Sequence, residues 1–253
     1  MRKAAIFVVS LALASTCFTA CSNGTTAGDG GQTAEGARAS GQTELPAIGS
    51  KESISVEDLE STVTTDVDET LASISAEYEA LVADIDSYEK YVENIGAVEA
   101  FYANALAETE NLGIRLRQYS VDCVNSVLAS DRTDGQKYDD LEAIYDVIYE
   151  DAGDDIYDGI YDGVLDDMYD SFYSGILDDA YDTVGYGEWS ESLSNEYDLW
   201  SDAKSDVYDA WSDFKSDVYD FYSDVRSEVY GHDLERSKKK ADEFQADIDA
   251  LSE

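Results

Sequence analysis

The sequence predicts an all-α protein, an elongated antiparallel helical hairpin or three-long-helix, coiled-coil-like bundle behind a disordered tether. Three patterns predict it. A heptad spacing runs from Val67 to Ile95, a period of four runs from Ile144 to Val184, and an eleven-residue phrase is written four times between 186 and 229. Each of the three recurs at a spacing close to the turn of a helix, and none shows the strict alternation of a half-buried strand. The helical body is expected over 51–253.

The first helix is expected over about 56–129. Ser55 followed by Asp58 resembles a capping box, with Asp in place of the usual Glu or Gln. Val67, Leu71, Ile74, Tyr78, Leu81, Ile85, Tyr88, Val92 and Ile95 then alternate steps of four and three, the spacing of a left-handed coiled-coil seam. Gly96 is the expected bend. Apolar spacing resumes from Val98 to Val127, and SDRTDGQ at 130–136 is dense enough in turn residues to reverse the chain.

The second helix, about 137–183, is the irregular one. From Ile144 to Val184 every fourth residue is apolar, under a coarser twelve-residue repeat over 149–184. On a regular α-helix a period of four drifts by about 40° per step, so the stripe would circle the helix and leave some Ile and Tyr facing outward. Three geometries answer that drift: a helix winding past several partners, extra-residue bulges near Gly153, Gly159, Gly163 and Gly175, or tight β-turns at the Asp-Gly steps. Ile and Tyr stand side by side instead of alternating with polar residues, so the irregular helix is the favoured reading.

TVGYGE at 183–188 reads as the second reversal, and the third helix is expected over about 189–251. Its repeats, 186–229, place tyrosines at 186, 197, 208, 219 and 230. Eleven residues make three turns at about 3.67 per turn, so positions one, four, seven and eleven share a face. Trp200 and Lys204, Trp211 and Lys215, and Tyr222 and Arg226 each set a base one turn beyond an aromatic ring, where its stem can cover the ring.

The chain starts differently. Arg2 and Lys3 precede an apolar run, Ala4 to Ser15, that is too short to span a bilayer, where about 20 residues are needed. Phe18, Thr19 and Ala20 then lead into Cys21. This segment resembles the signal peptide and lipobox of bacterial lipoproteins, although Phe18 stands where Leu or Val is usual. The resemblance implies that 1–20 is removed and that Cys21 carries a diacylglyceryl thioether and a palmitate. It further implies an anchor in the cell membrane on its extracytoplasmic face, within the cell envelope. Residues 21–50 are rich in Gly, Ser and Thr and too poor in large apolar groups to bury a core, which predicts a flexible linker with a reach of roughly 30 Å.

Composition limits the partners. The chain holds 57 acidic residues against 16 Lys and Arg, a formal charge of −41, and becomes two units more negative once Arg2 and Lys3 leave. Such a surface repels nucleic acid and attracts cations or basic proteins. The expected partners are the membrane, through the lipid on Cys21, and either a basic protein or a second copy of the chain, with no small-molecule substrate. Cys123 is the one cysteine left after Cys17 and Cys21, which rules out an intrachain disulfide. It is expected to be buried on an apolar line, with a disulfide between chains as the alternative. Lys238, Lys239 and Lys240 are the densest basic run, expected to be balanced by nearby acids or else to dock an anionic partner.

Catalytic patterns are not found. One histidine, His232, supplies neither a transition-metal set nor a Ser-His-Asp triad, and the glycines follow no strand as a nucleotide loop requires. The expectation is a non-enzyme: a lipid-anchored spacer, scaffold or interaction protein, with a cation-dependent or basic-protein-binding surface as the alternative. No cofactor is expected beyond weakly bound Ca²⁺, with Asp154, Asp155, Asp166, Asp167, Asp178 and Asp179 as candidate ligands because they recur every twelve residues. Adjacent carboxylates on an α-helix point about 100° apart, and no stretch follows the EF-hand order, so no firm metal site is expected.

Overall fold

A computed structural model describes residues 55–252, which are helical between short connections, with no strand among them. Residues 1–54, including Phe18, Thr19, Ala20, Cys21 and the linker, lie outside the described residues.

The first expected helix is three. α1, Val56–Asp84, starts as its sequence suggests: Ser55 Oγ accepts from the Asp58 amide at 3.2 Å and donates to the Asp58 carboxylate at 2.8 Å. It stops at Ile85, where the backbone turns extended (φ −100°, ψ 91°). Ser87, also extended, accepts from the Lys90 amide and starts α2, Tyr88–Glu93; Asn94 separates α2 from α3, Ile95–Ala129. The break therefore falls at 85–87 and 94, and Gly96 sits inside the first turn of α3. The heptad line is cut there. Val67, Ile74 and Ile85 are buried, but Val92 is 48% exposed and Tyr91, at 1%, takes its place in the core. A non-helical step resets the rotation that a heptad assumes.

α3 lies at the centre, packed against α1, α4, α7 and α8. Its buried residues, from Val98 and Phe101 through Leu112 and Leu116 to Val124 and Val127, cover more than one face, as a helix with neighbours on several sides requires. Cys123 is among them, 0% exposed, and burial pushes its thiol up to about 12, so the disulfide between chains is not available to the folded protein.

α4, Asp134–Tyr145, opens with a full capping box: Thr133 accepts from the Gln136 amide, and the Gln136 side chain accepts from the Thr133 amide. Beyond it the helix alternates between two geometries. A π-helical segment, π1 (Asp146–Ala152), leads to α5 (Gly153–Ile156), π2 (Tyr157–Val164), α6 (Leu165–Tyr169), π3 (Asp170–Leu177) and a closing 3₁₀ turn, Ala180–Asp182.

This alternation corrects the expected drift. An i→i+5 helix has roughly 4.4 residues per turn against 3.6 for the α-helix, so four α-residues and eight π-residues together make about three turns. The average is four residues per turn, and a period of four then stays on one face. Ile144, Ile148, Ala152, Ile156, Ile160, Val164, Met168 and Phe172 are all buried. Only at the end does the line shift, from Ile176 to the buried Leu177. Gly159 permits α1 to approach: a Cβ there would lie 2.6 Å from Leu71.

α7, Tyr186–Tyr230, is 45 residues long, about 68 Å at 1.5 Å per residue. The third expected helix ends there and not at 251. Gly231, His232 and Asp233 turn the chain, with His232 in the left-handed region (φ 62°), and α8, Leu234–Leu251, packs back against α7 and α3. α8 is thus a helix of its own.

Candidate functional site

The feature most distinct from ordinary core is the seam between α7 and the π-containing run. Both repeats complete about three turns, one in eleven residues and the other in twelve, so they stay in step as they run antiparallel. Ring pairs show the register. Tyr145 meets Tyr222 at 5.8 Å between centroids, Tyr157 meets Trp211 at 4.9 Å, Tyr169 meets Trp200 at 4.4 Å, and Tyr181 meets Trp189 at 4.8 Å. Each step is twelve residues on one side and eleven on the other.

The bases, eleven residues apart on α7, follow that rule through their acids, which are twelve apart. Lys204 Nζ lies 3.9 Å above Tyr161 and 2.8 Å from Asp166; Lys215 Nζ lies 4.1 Å above Tyr149 and 3.1 Å from Asp154. The Arg226 guanidinium lies 4.4 Å above Tyr138 and 3.5 Å from Glu142. The rings of their own helix are further away, 5.6 Å for Lys204 over Trp200 and 5.4 Å for Lys215 over Trp211. So the bases bridge successive aromatic clusters across the seam instead of capping one ring on α7. The indoles close the arrangement. Trp211 and Trp189 donate Nε1–H to the carbonyls of Gly153 and Leu177, and Trp200 donates to Asp166.

The outcome is a lane of aromatic rings and acids along one side of α7. Tyr145 and Tyr149, Tyr157 and Tyr161, and Tyr169 and Tyr173 stack one turn apart, with centroids 4.6–4.7 Å apart. Burial, then the adjacent tyrosine, pushes the Tyr145 and Tyr169 hydroxyls up to about 12, so both stay neutral. The first residue of each α7 repeat was expected on the apolar face. Instead Tyr186, Tyr197, Tyr208 and Tyr219, and Tyr230 beyond them, edge the lane with 43–79% of their surface exposed.

The candidate calcium ligands are not gathered. Asp154 and Asp166 are held by Lys215 and Lys204, while Asp155, Asp167, Asp178 and Asp179 face solvent. Although exposed, the Asp155 carboxyl is raised by partial desolvation, then by the Asp151, Asp68, Asp158 and Asp154 carboxylates. Among the described residues, no set of three or more His, Cys, Asp or Glu side chains is placed to hold a metal ion. The basic run is balanced: Lys238 pairs with Asp242, Lys239 with Glu243, and Lys240 with Asp224 and Glu243. His232 pairs with Asp134.

The most completely buried charge escaped the sequence reading, as did the less deeply buried Arg117 and Lys137. Glu196 is 0% exposed and accepts from Tyr91 at 2.7 Å and from Tyr102 at 2.8 Å. It stands at the eleventh position of its repeat, which the other three copies fill with the fully buried Val207, Val218 and Val229. That substitution was the available signal. Burial raises its carboxyl while the two tyrosine hydrogen bonds hold it down, and burial prevails.

No protein-family model, curated protein or solved structure matches the chain. No helix among the described residues is long and apolar enough to cross a membrane.

Proposed function

We propose that this chain is a lipid-anchored, extracytoplasmic spacer or scaffold of the bacterial cell envelope, without catalytic activity. Its body is an elongated, coiled-coil-like bundle carried on the linker that follows Cys21. The observation that carries this reading is the matched register of the two repeats, which devotes about a third of the chain to one continuous seam along a 45-residue helix. Repeats that stay in step extend a rigid body along its length. The leader and Cys21 supply the anchor. The test is metabolic labelling with tritiated palmitate in a bacterium that processes lipoproteins. Label on the natural chain, its loss in Cys21→Ser and release of that variant from the membrane fraction are the expected results. A Cys21→Ser variant that stays membrane-bound and labelled contradicts the anchor.

A second reading has its own support. The half-exposed tyrosines of α7, on a chain of formal charge −41, form a surface suited to a basic protein or to Ca²⁺-dependent contacts. Retention on immobilised poly-lysine that falls on changing Tyr197, Tyr208 and Tyr219 to Ala favours it. Retention that depends on ionic strength alone favours the spacer.

A further inference from the structure

Where α4 faces the last repeat of α7, the aromatic lane opens into a cleft of about 510 Å³. Its walls are tyrosines, chiefly Tyr138, Tyr145, Tyr219 and Tyr230, and Ser223 and Ser227 add two hydroxyls one turn apart on α7. In a chain with 57 acidic residues, no carboxylate lines this cleft. The contrast with the cleft between α7 and α8 is direct, since Asp217, Asp220, Asp224, Glu243 and Asp247 line that one.

The walls are held in place. Tyr145 stacks on Tyr149, with ring planes 14° apart, and Tyr138 meets Tyr230 edge to face at 6.5 Å. Arg226 contributes the single charge, and it is engaged from two sides, above the Tyr138 ring and beside Glu142. Tyr219 and Tyr230 keep 54% and 79% of their surface open, so two aromatic faces are presented and not packed away.

This lining selects by exclusion. A cationic ligand would compete with the Arg226 guanidinium for the same ring faces, and an anionic one is repelled by the acidic chain around the cleft. An aliphatic ligand would cover the tyrosine and serine hydroxyls without giving them a hydrogen-bond partner. What remains is an uncharged ligand with apolar faces and hydroxyl edges. A pyranose ring has that form: its axial C–H groups lie on aromatic faces while its hydroxyls reach tyrosine and serine oxygens. The volume falls in the range of roughly 300–1,000 Å³ usual for small-ligand sites.

We propose that the cleft bounded by Tyr138, Tyr145, Tyr219 and Tyr230 binds a neutral saccharide of one or two pyranose rings. This departs from the expectation of no small-molecule ligand and does not rest on the spacer reading. Calorimetric titration of the full-length chain with cellobiose, maltose and N,N′-diacetylchitobiose tests it. Saturable binding of at least one is expected at concentrations up to about 10 mM. Tyr219→Ala and Tyr230→Ala, both at exposed positions that leave the core intact, each weaken that binding at least tenfold. Tyr186→Ala, at the other end of α7, leaves it unchanged. The proposal is overturned by no saturable binding of any of the three, by affinity indifferent to Tyr219 and Tyr230, or by tighter binding of cationic glucosamine than of neutral sugars.

Discussion

Glu196 offers the sharpest test of how this core is assembled. Its carboxyl is raised in the folded protein, chiefly by burial. A raised folded-state carboxyl binds its proton more tightly than the unfolded chain does. Its contribution is therefore fully present below the unfolded value, around 4.3, and is lost as pH rises through the folded value. Glu196→Gln removes that dependence while keeping the shape and an acceptor for Tyr91 or Tyr102. The variant should match the natural chain in acid and gain on it as pH rises, by about 1.4 kcal/mol for each unit separating the two values. Glu196→Val, which restores the residue of the other repeats, strands the hydroxyls of Tyr91 and Tyr102, 1% and 4% exposed. At about 1–3 kcal/mol each, that loss is about 2–6 kcal/mol, partly offset by not burying a charge. Urea unfolding followed by circular dichroism from pH 4 to pH 8 reads both. A Gln variant whose advantage does not change with pH, or a Val variant as stable as Gln at pH 7, refutes the reasoning.

Three further outcomes are expected. Lys215→Ala removes the ammonium from above Tyr149 and beside Asp154 and should cost about 1–2 kcal/mol in urea unfolding, with most of the loss persisting in high salt because the lysine side chain is 13% exposed. His232→Gly relieves a left-handed residue at the α7–α8 turn and should stabilise by up to about 1 kcal/mol, read as a rise in Tm. Helicity and Tm of the full-length chain should rise equally with NaCl and with CaCl₂ at matched ionic strength. A gain specific to Ca²⁺ would make the paired aspartates at 154–155, 166–167 and 178–179 a cation site.

Much of the helical arrangement was legible because it is written in local chemistry. Ser55 caps α1 where the sequence puts it, and both reversals fall within the expected segments, at 130–133 and 183–185, with α4 and α7 each starting three residues earlier than expected. The period of four was legible as a conflict with α geometry, and the π-helical turns resolve it. The break at 85–87 was hidden because an unbroken heptad ran across it, and spacing does not report a backbone that leaves the helix between two apolar residues. The positions of Lys204 and Lys215 were read from α7 alone, so their rings were sought on the same helix. Their true partners, Tyr161 and Tyr149, follow only when eleven and twelve residues are recognised as the same three turns. Glu196 was hidden by the abundance of acids, although its place in the repeat marked it.

The central claim is that the two repeats keep step because one helix carries an extra residue every three turns. Deleting one residue on each side tests it. Removing Gly163 from π2 returns that unit to eleven residues, an α-like pitch, and leaves Ile160 and Met168 on their original face. Removing the exposed Asp213 from α7 rotates everything beyond it by about 100°, taking the buried Phe214, Val218, Phe221, Val225 and Val229 out of the core. At about 1.5–3 kcal/mol per side chain, that sum rivals the 5–15 kcal/mol that hold a typical domain together. Thermal unfolding of the two deletions, followed at 222 nm, is the direct measurement. The account predicts a cooperative transition near that of the natural chain without Gly163, and loss of cooperative folding without Asp213. Equal damage from both deletions, or tolerance of the Asp213 deletion, would contradict it.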